Sequence, residues 1–351
     1  MRQVKSKKLR PLGTLLLACA GLCAPMLASA HEVYVLTSGE VAKDLTYPPI
    51  NLFAAAVSHK YLFLSAALAG IFLVICILGV SLSRKLEARI DPILFKIKPY
   101  AASIAQATLG LALLASAYYG ALFGTEVSIA HLFGAHAKLV LVLLYIAGSS
   151  IILGIYPRIG GALAVIIYIS AICAGEGVYM LSYLTYFGEG LVILLFSGGY
   201  GLLRYRIPLA GRAQRLMDAL AKRKHFIMRI CFSASLIYAA LYAKLIHGTL
   251  ALNTVAKYHL TNYFHFDPIF VVLGAFIIEL LIGLFYLIGF ELRFTSLLFL
   301  MFLTMSLVFF GEAVWPHIIL IGTAITIFAH GYDEYTVLRP WYEKGAREPI
   351  F

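Results

Sequence analysis

Charge is what this sequence has least of. Of its 351 residues only 13% are Asp, Glu, Lys or Arg, against 62% that are hydrophobic. A water-soluble chain of this length would need far more charge to cover its surface, so most of the length must face lipid. Cysteine is scarce as well, with Cys19 and Cys23 among the first thirty residues and Cys76, Cys173 and Cys231 each inside a longer apolar stretch. That distribution leaves no disulfide framework and no C-x-x-C redox pair, and the last three read as small apolar packing residues. The net charge of +11 does not point to nucleic acid, because the basic residues fall in short runs between apolar segments. Such runs mark the cytoplasmic loops of a membrane protein.

What is present is a succession of apolar segments. The basic start MRQVKSKKLR, the apolar run Leu12–Leu22 and the small-x-small site Ala28-Ser29-Ala30 before His31 have the three parts of a secretory leader. An uncleaved anchor is the alternative. The expected organisation is a cleavable leader at 1–30, a short exported segment at 31–58, and a leading transmembrane helix with its basic loop at 59–97. A four-helix unit at 98–204, a basic linker at 205–225, a second four-helix unit at 226–331 and a cytoplasmic tail at 332–351 follow. The fold expected is all-α, with about nine transmembrane helices near 60–82, 100–123, 137–155, 159–179, 183–203, 226–246, 268–288, 294–310 and 315–331. Arg84, Lys85, Arg89, Lys96 and Lys98, the basic linker, Arg158, Arg293 and the tail all fall on one side of such an arrangement. The positive-inside rule makes that side cytoplasmic, placing the protein in a bacterial inner membrane with its mature N-terminus exported.

The two four-helix units resemble each other. Gly124-Thr125 falls opposite Gly248-Thr249, Arg158 opposite Arg293, and Gly175-Glu176 opposite Gly311-Glu312, in the same order along the chain. A four-helix unit returns to the side where it began, so the repeat is parallel rather than inverted. In the second unit, Arg229, Lys244, Pro268, Glu279, Gly283, Leu287-Ile288-Gly289 and Arg293, followed by a helix rich in Leu, Phe and Met, resemble the DoxX family of four-helix membrane proteins. The first unit has Gly120 opposite Lys244 and Leu144 opposite Glu279, so it lacks the two ionisable positions. The resemblance implies an association with redox chemistry, since the family takes its name from a quinone-linked oxidoreductase subunit.

Glu279 lies in mid-helix, where an ionised carboxylate is expensive, and either proton or quinone chemistry or an ion pair with Lys244 would explain it. Lys244 and Glu279 are therefore the candidate catalytic pair. Glu189 reads as polar packing, and Glu176 and Glu312 as polar helix ends. Eight of the ten histidines fall at or near the exported side, and His247, His259, His265 and His317 are the candidate metal ligands. His131 and His136 would be auxiliary, and His31 would become the mature N-terminal residue. No H-E-x-x-H spacing makes any of these specific. Copper, haem and quinone are the candidate cofactors, the lipid bilayer and a redox partner subunit the candidate partners. The leading function is a DoxX-like protein in an envelope redox process. A copper or small-solute transporter and a non-catalytic assembly module are the alternatives.

Overall fold

The computed structural model describes residues 40, 43–82, 92–195, 220, 223–263, 265–311 and 313–337. The expected leader with His31, most of the basic loops, Glu312 and the end of the tail lie outside the described residues. All regular structure among those residues is helical, and a lone antiparallel bridge joins Ala121 and Ser128. In chain order the helices are α1 (Leu52–Ser58), α2 (Lys60–Leu82), α3 (Ala101–Tyr119), α4 (Ile129–Phe133), α5 (Ala137–Leu153), α6 (Pro157–Ala171) and α7 (Leu184–Leu195). After them come α8 (Lys224–Ala240), α9 (Gly248–Lys257), α10 (Pro268–Ile288), α11 (Leu292–Phe310) and α12 (Ile318–His330).

Among the described residues, eight stretches are long and apolar enough to cross a membrane, as a polytopic membrane protein requires. They begin with Lys60–Gly79, which has no buried share in its spanning window, and end with Leu292–Phe310. The ninth segment expected from the sequence is the apolar helix Trp315–His330, which is shorter. Local signals set the helix ends. Asp267 accepts from the Ile269 amide at 2.8 Å just before Pro268 opens α10. Ser128 caps α4 and Asn51 caps α1 in the same way.

The turn after α5 and the turn after α10 have the same backbone form. Gly154 and Tyr156 have φ of 68° and 49°, and Gly289 and Glu291 have 72° and 42°. In both, the residue after the glycine donates its amide to the carbonyl five residues back: Ile155 to Ser150 at 3.1 Å and Phe290 to Phe285 at 2.8 Å. This left-handed exit is the usual stop for a helix.

By its contacts the chain divides into two compact units. The first contains Tyr100–Ser235 and Ala313–Ile327. In it α3, α5, α6 and α7 pack in sequence around a closed ring, α7 returning to α3. Small residues allow the close approach: a side chain at Gly161 would stand 2.7 Å from the Gly190 carbonyl, and one at Gly148 would stand 2.8 Å from that of Gly110. The second unit includes the described parts of Ser29–Pro99, Leu236–Glu312 and Phe328–Phe351. Here α10 packs against α1, α9 and α11. These units differ from the two consecutive stretches read as repeats. Most of α12 belongs with the first unit, where Thr323 reaches Glu189 and Thr326 donates to the Ala101 carbonyl at 3.3 Å.

Candidate functional site: buried ionisable groups in each unit

Lys244 is placed by an irregularity in its helix. Beyond Ala240 the α-helical ladder widens into a π turn over Leu241–Ile246, closed by the His247 amide donating to the Tyr242 carbonyl at 2.9 Å. The Lys244 side chain ends buried, and its ammonium donates to Glu279 Oε2 at 2.8 Å. The sequence-predicted pair is thus brought together across two elements of the second unit. Side-chain exposure is 3% for Lys244 and 16% for Glu279, so the ammonium is sealed while the carboxylate keeps an open edge. The residues that share the face of Glu279 on α10, Phe276, Ile282 and Gly283, are buried, while Ile278 and Leu281 on another face are exposed.

An apolar cluster closes the N-terminal side of the pair. Val272, Leu273 and Phe276 of α10 pack with Leu52 and Ala55 of α1 and with Ala251 and Val255 of α9. Polar contacts hold that cover down. Asn253 donates to Asp44 Oδ2 at 2.6 Å, and the Thr249 hydroxyl donates to the Asp44 carbonyl at 3.1 Å. Asp44 is itself buried, and Lys257 pairs with Glu40 at 3.1 Å.

The candidate metal ligands do not gather. Among the described residues no three His, Cys, Asp or Glu side chains stand close enough to hold a metal ion. His259 and His265 are exposed in the second unit, and His131 and His136 are exposed in the first. His317 is buried in the first unit with Nδ1 2.9 Å from the Ala313 carbonyl. His247 is half-buried against Tyr242, with ring centroids 4.6 Å apart, and burial pushes its imidazole below the ordinary value. Its Nδ1 is buried without a hydrogen-bond partner among the described residues.

The first unit holds polar groups that the sequence did not single out, Glu126 first among them, beside Glu189 and Glu176, which it read as packing and a helix end. Glu126, in the loop between α3 and α4, accepts from Tyr179 at 2.8 Å and from Tyr183. Tyr186 stacks near Phe123 with centroids 4.2 Å apart and donates to the Phe123 carbonyl at 3.2 Å. The available signal was the spacing of Tyr179 and Tyr183, four residues apart, with a single acid in the facing loop. Deeper on α7, Glu189 is 0% exposed, and its Oε1 lies 2.6 Å from the Thr323 hydroxyl. Nothing about Thr323 in the sequence announces that partner. Glu176 closes a π turn over Ile172–Glu176, but Glu312 lies outside the described residues. Comparison with protein-family models, with curated proteins and with solved structures finds no match to this chain.

Proposed function

We propose that this chain is a DoxX-like inner-membrane protein that serves an envelope redox process by docking a quinone or quinol at Lys244 and Glu279. The observation that carries this reading is the ion pair between two spanning helices, with an edge of the carboxylate left exposed. A ligand approaching that edge from hydrocarbon must itself be lipid-soluble. The two side chains offer complementary chemistry to a quinoid head group: the ammonium donates to a carbonyl oxygen, and the carboxylate accepts from a quinol hydroxyl. Intramembrane ionisable groups are costly to keep and mark functional paths more often than packing.

The matching left-handed turns at Gly154–Tyr156 and Gly289–Glu291 support the reading of a parallel repeat. In that reading Leu144, wholly buried, stands where the second unit has Glu279, so only the second unit carries the docking pair. A partner subunit would supply the redox centre, and the basic loops would face the cytoplasm. The test is a titration of a short-chain benzoquinone into the protein in lipid nanodiscs, read by intrinsic tyrosine fluorescence. Saturable quenching by wild type, lost in Lys244→Met/Glu279→Leu, is expected. Equal quenching in both proteins would refute the site.

A further inference from the structure

Glu189 sits on α7 in a bundle that excludes solvent from it completely. Two short contacts meet at Thr323: its Oγ1 lies 2.6 Å from Glu189 Oε1 and 2.7 Å from the carbonyl of Ile319, one turn back on α12. Oxygen atoms that close need a proton between them. Three oxygens joined by two such contacts either share one proton in a three-centre bond or hold one proton in each contact. The hydroxyl of Thr323 has one, and the peptide carbonyl has none to give. Both contacts are short, at 2.6 and 2.7 Å, which favours a second proton, on Glu189, over one proton shared between two acceptors.

The surroundings agree with that count. Among the described residues, Glu189 Oε2 is buried without a hydrogen-bond partner, and so is the hydroxyl of Thr185, four residues earlier on the same face of α7. Among the described residues Glu189 forms no ion pair. Of the titratable groups on the helices around it, Tyr186 is committed to the Phe123 carbonyl and Tyr168 of α6 to the Met180 carbonyl, and Cys231 of α8 packs on Gly188. Among the described residues no basic side chain hydrogen-bonds Glu189 Oε2. An isolated carboxylate in such a place takes up a proton rather than stay charged.

We propose that Glu189 is a proton-binding site within the membrane, held as the neutral acid and donating its O–H to Thr323. This goes beyond quinone docking in the second unit and does not rest on it. Infrared difference spectra of the full-length protein in nanodiscs at neutral pH test it, subtracting Glu189→Gln from wild type. Glutamine can donate its amide to Thr323 as the acid does, so this variant keeps the contact. The expected difference is a carboxylic-acid C=O band present in wild type and missing in Glu189→Gln. A pair of carboxylate bands in its place would overturn the proposal. Thr323→Val gives an independent arm: losing its acceptor, the acid band moves to higher frequency. An acid band at an unchanged position would remove Thr323 from the site and overturn the donation as stated.

Discussion

At the scale of single residues, the second unit is organised around Lys244 and Glu279, 2.8 Å apart. Each justifies the other, because either charge alone in an apolar bundle would be left uncompensated. Removing one partner of a buried pair costs about 3 kcal/mol or more, whereas replacing both with apolar groups of similar size is close to neutral. Glu279→Gln and Lys244→Met should therefore each lower the thermal midpoint, while Lys244→Met/Glu279→Leu should return near wild type. A thermal melt in nanodiscs of all four proteins checks this, and additive losses would mean that the two side chains act separately.

His247 gives a pH dependence with a definite sign. Its folded-state value lies below the ordinary 6.5, so the unfolded chain binds the proton more readily. The neutral ring's contribution is full above that ordinary value and is lost as pH falls through it towards the folded value. The melting midpoint should drop on acidification across that window, and His247→Phe, which keeps the ring against Tyr242, should flatten the drop. An unchanged slope in His247→Phe would assign the dependence to another group.

At the scale of elements, the π turn over Leu241–Ile246 is the device that positions Lys244. Deleting Leu241 should restore an α-helical turn and swing Lys244 roughly 100° about the helix axis, away from Glu279. The deletion should cost as much stability as Glu279→Gln, and combining the two should add little further loss. Full additivity in melts would show that the turn has another purpose. The apolar segments themselves were legible: the sequence places helices near 268–288 and 137–155, and they are found at Pro268–Ile288 and Ala137–Leu153. Length and hydrophobicity suffice for that, because an element in lipid must satisfy its own backbone.

What the sequence did not reveal was which helix faces which. Thr323 and Glu189 are 134 residues apart, and their contact depends on the rotation of two helices whose faces are almost equally apolar. The helix α9 was also missed, since its Asn253 and Thr249 break the hydrophobic run and make sense only once Asp44 is seen beside them. Lys244 and Glu279 were visible because a charge inside an apolar run stands out before any fold is known. The histidines expected to converge share only a side of the expected topology, and side alone does not bring ligands into one sphere.

At the scale of the whole molecule, orientation and docking can be examined separately. Alkaline phosphatase fused after Phe351 should be inactive if the basic loops lie in the cytoplasm. Strong activity would mean that the number of crossings after the exported N-terminus is even rather than odd. Docking is most directly tested by the quinone that the protein carries out of its own membrane. Wild type, Lys244→Met/Glu279→Leu and the charge swap Lys244→Glu/Glu279→Lys would be excised in polymer-bounded native discs, and quinone per protein would be measured after solvent extraction. The expected result is quinone enriched over bulk membrane lipid in wild type and reduced to the bulk ratio in the double apolar variant. The swap, which keeps an ion pair but moves the donor and acceptor, should also lose it. Bulk-level quinone in wild type, or equal enrichment in all three folded proteins, would contradict a docking role and leave Lys244 and Glu279 as a structural pair.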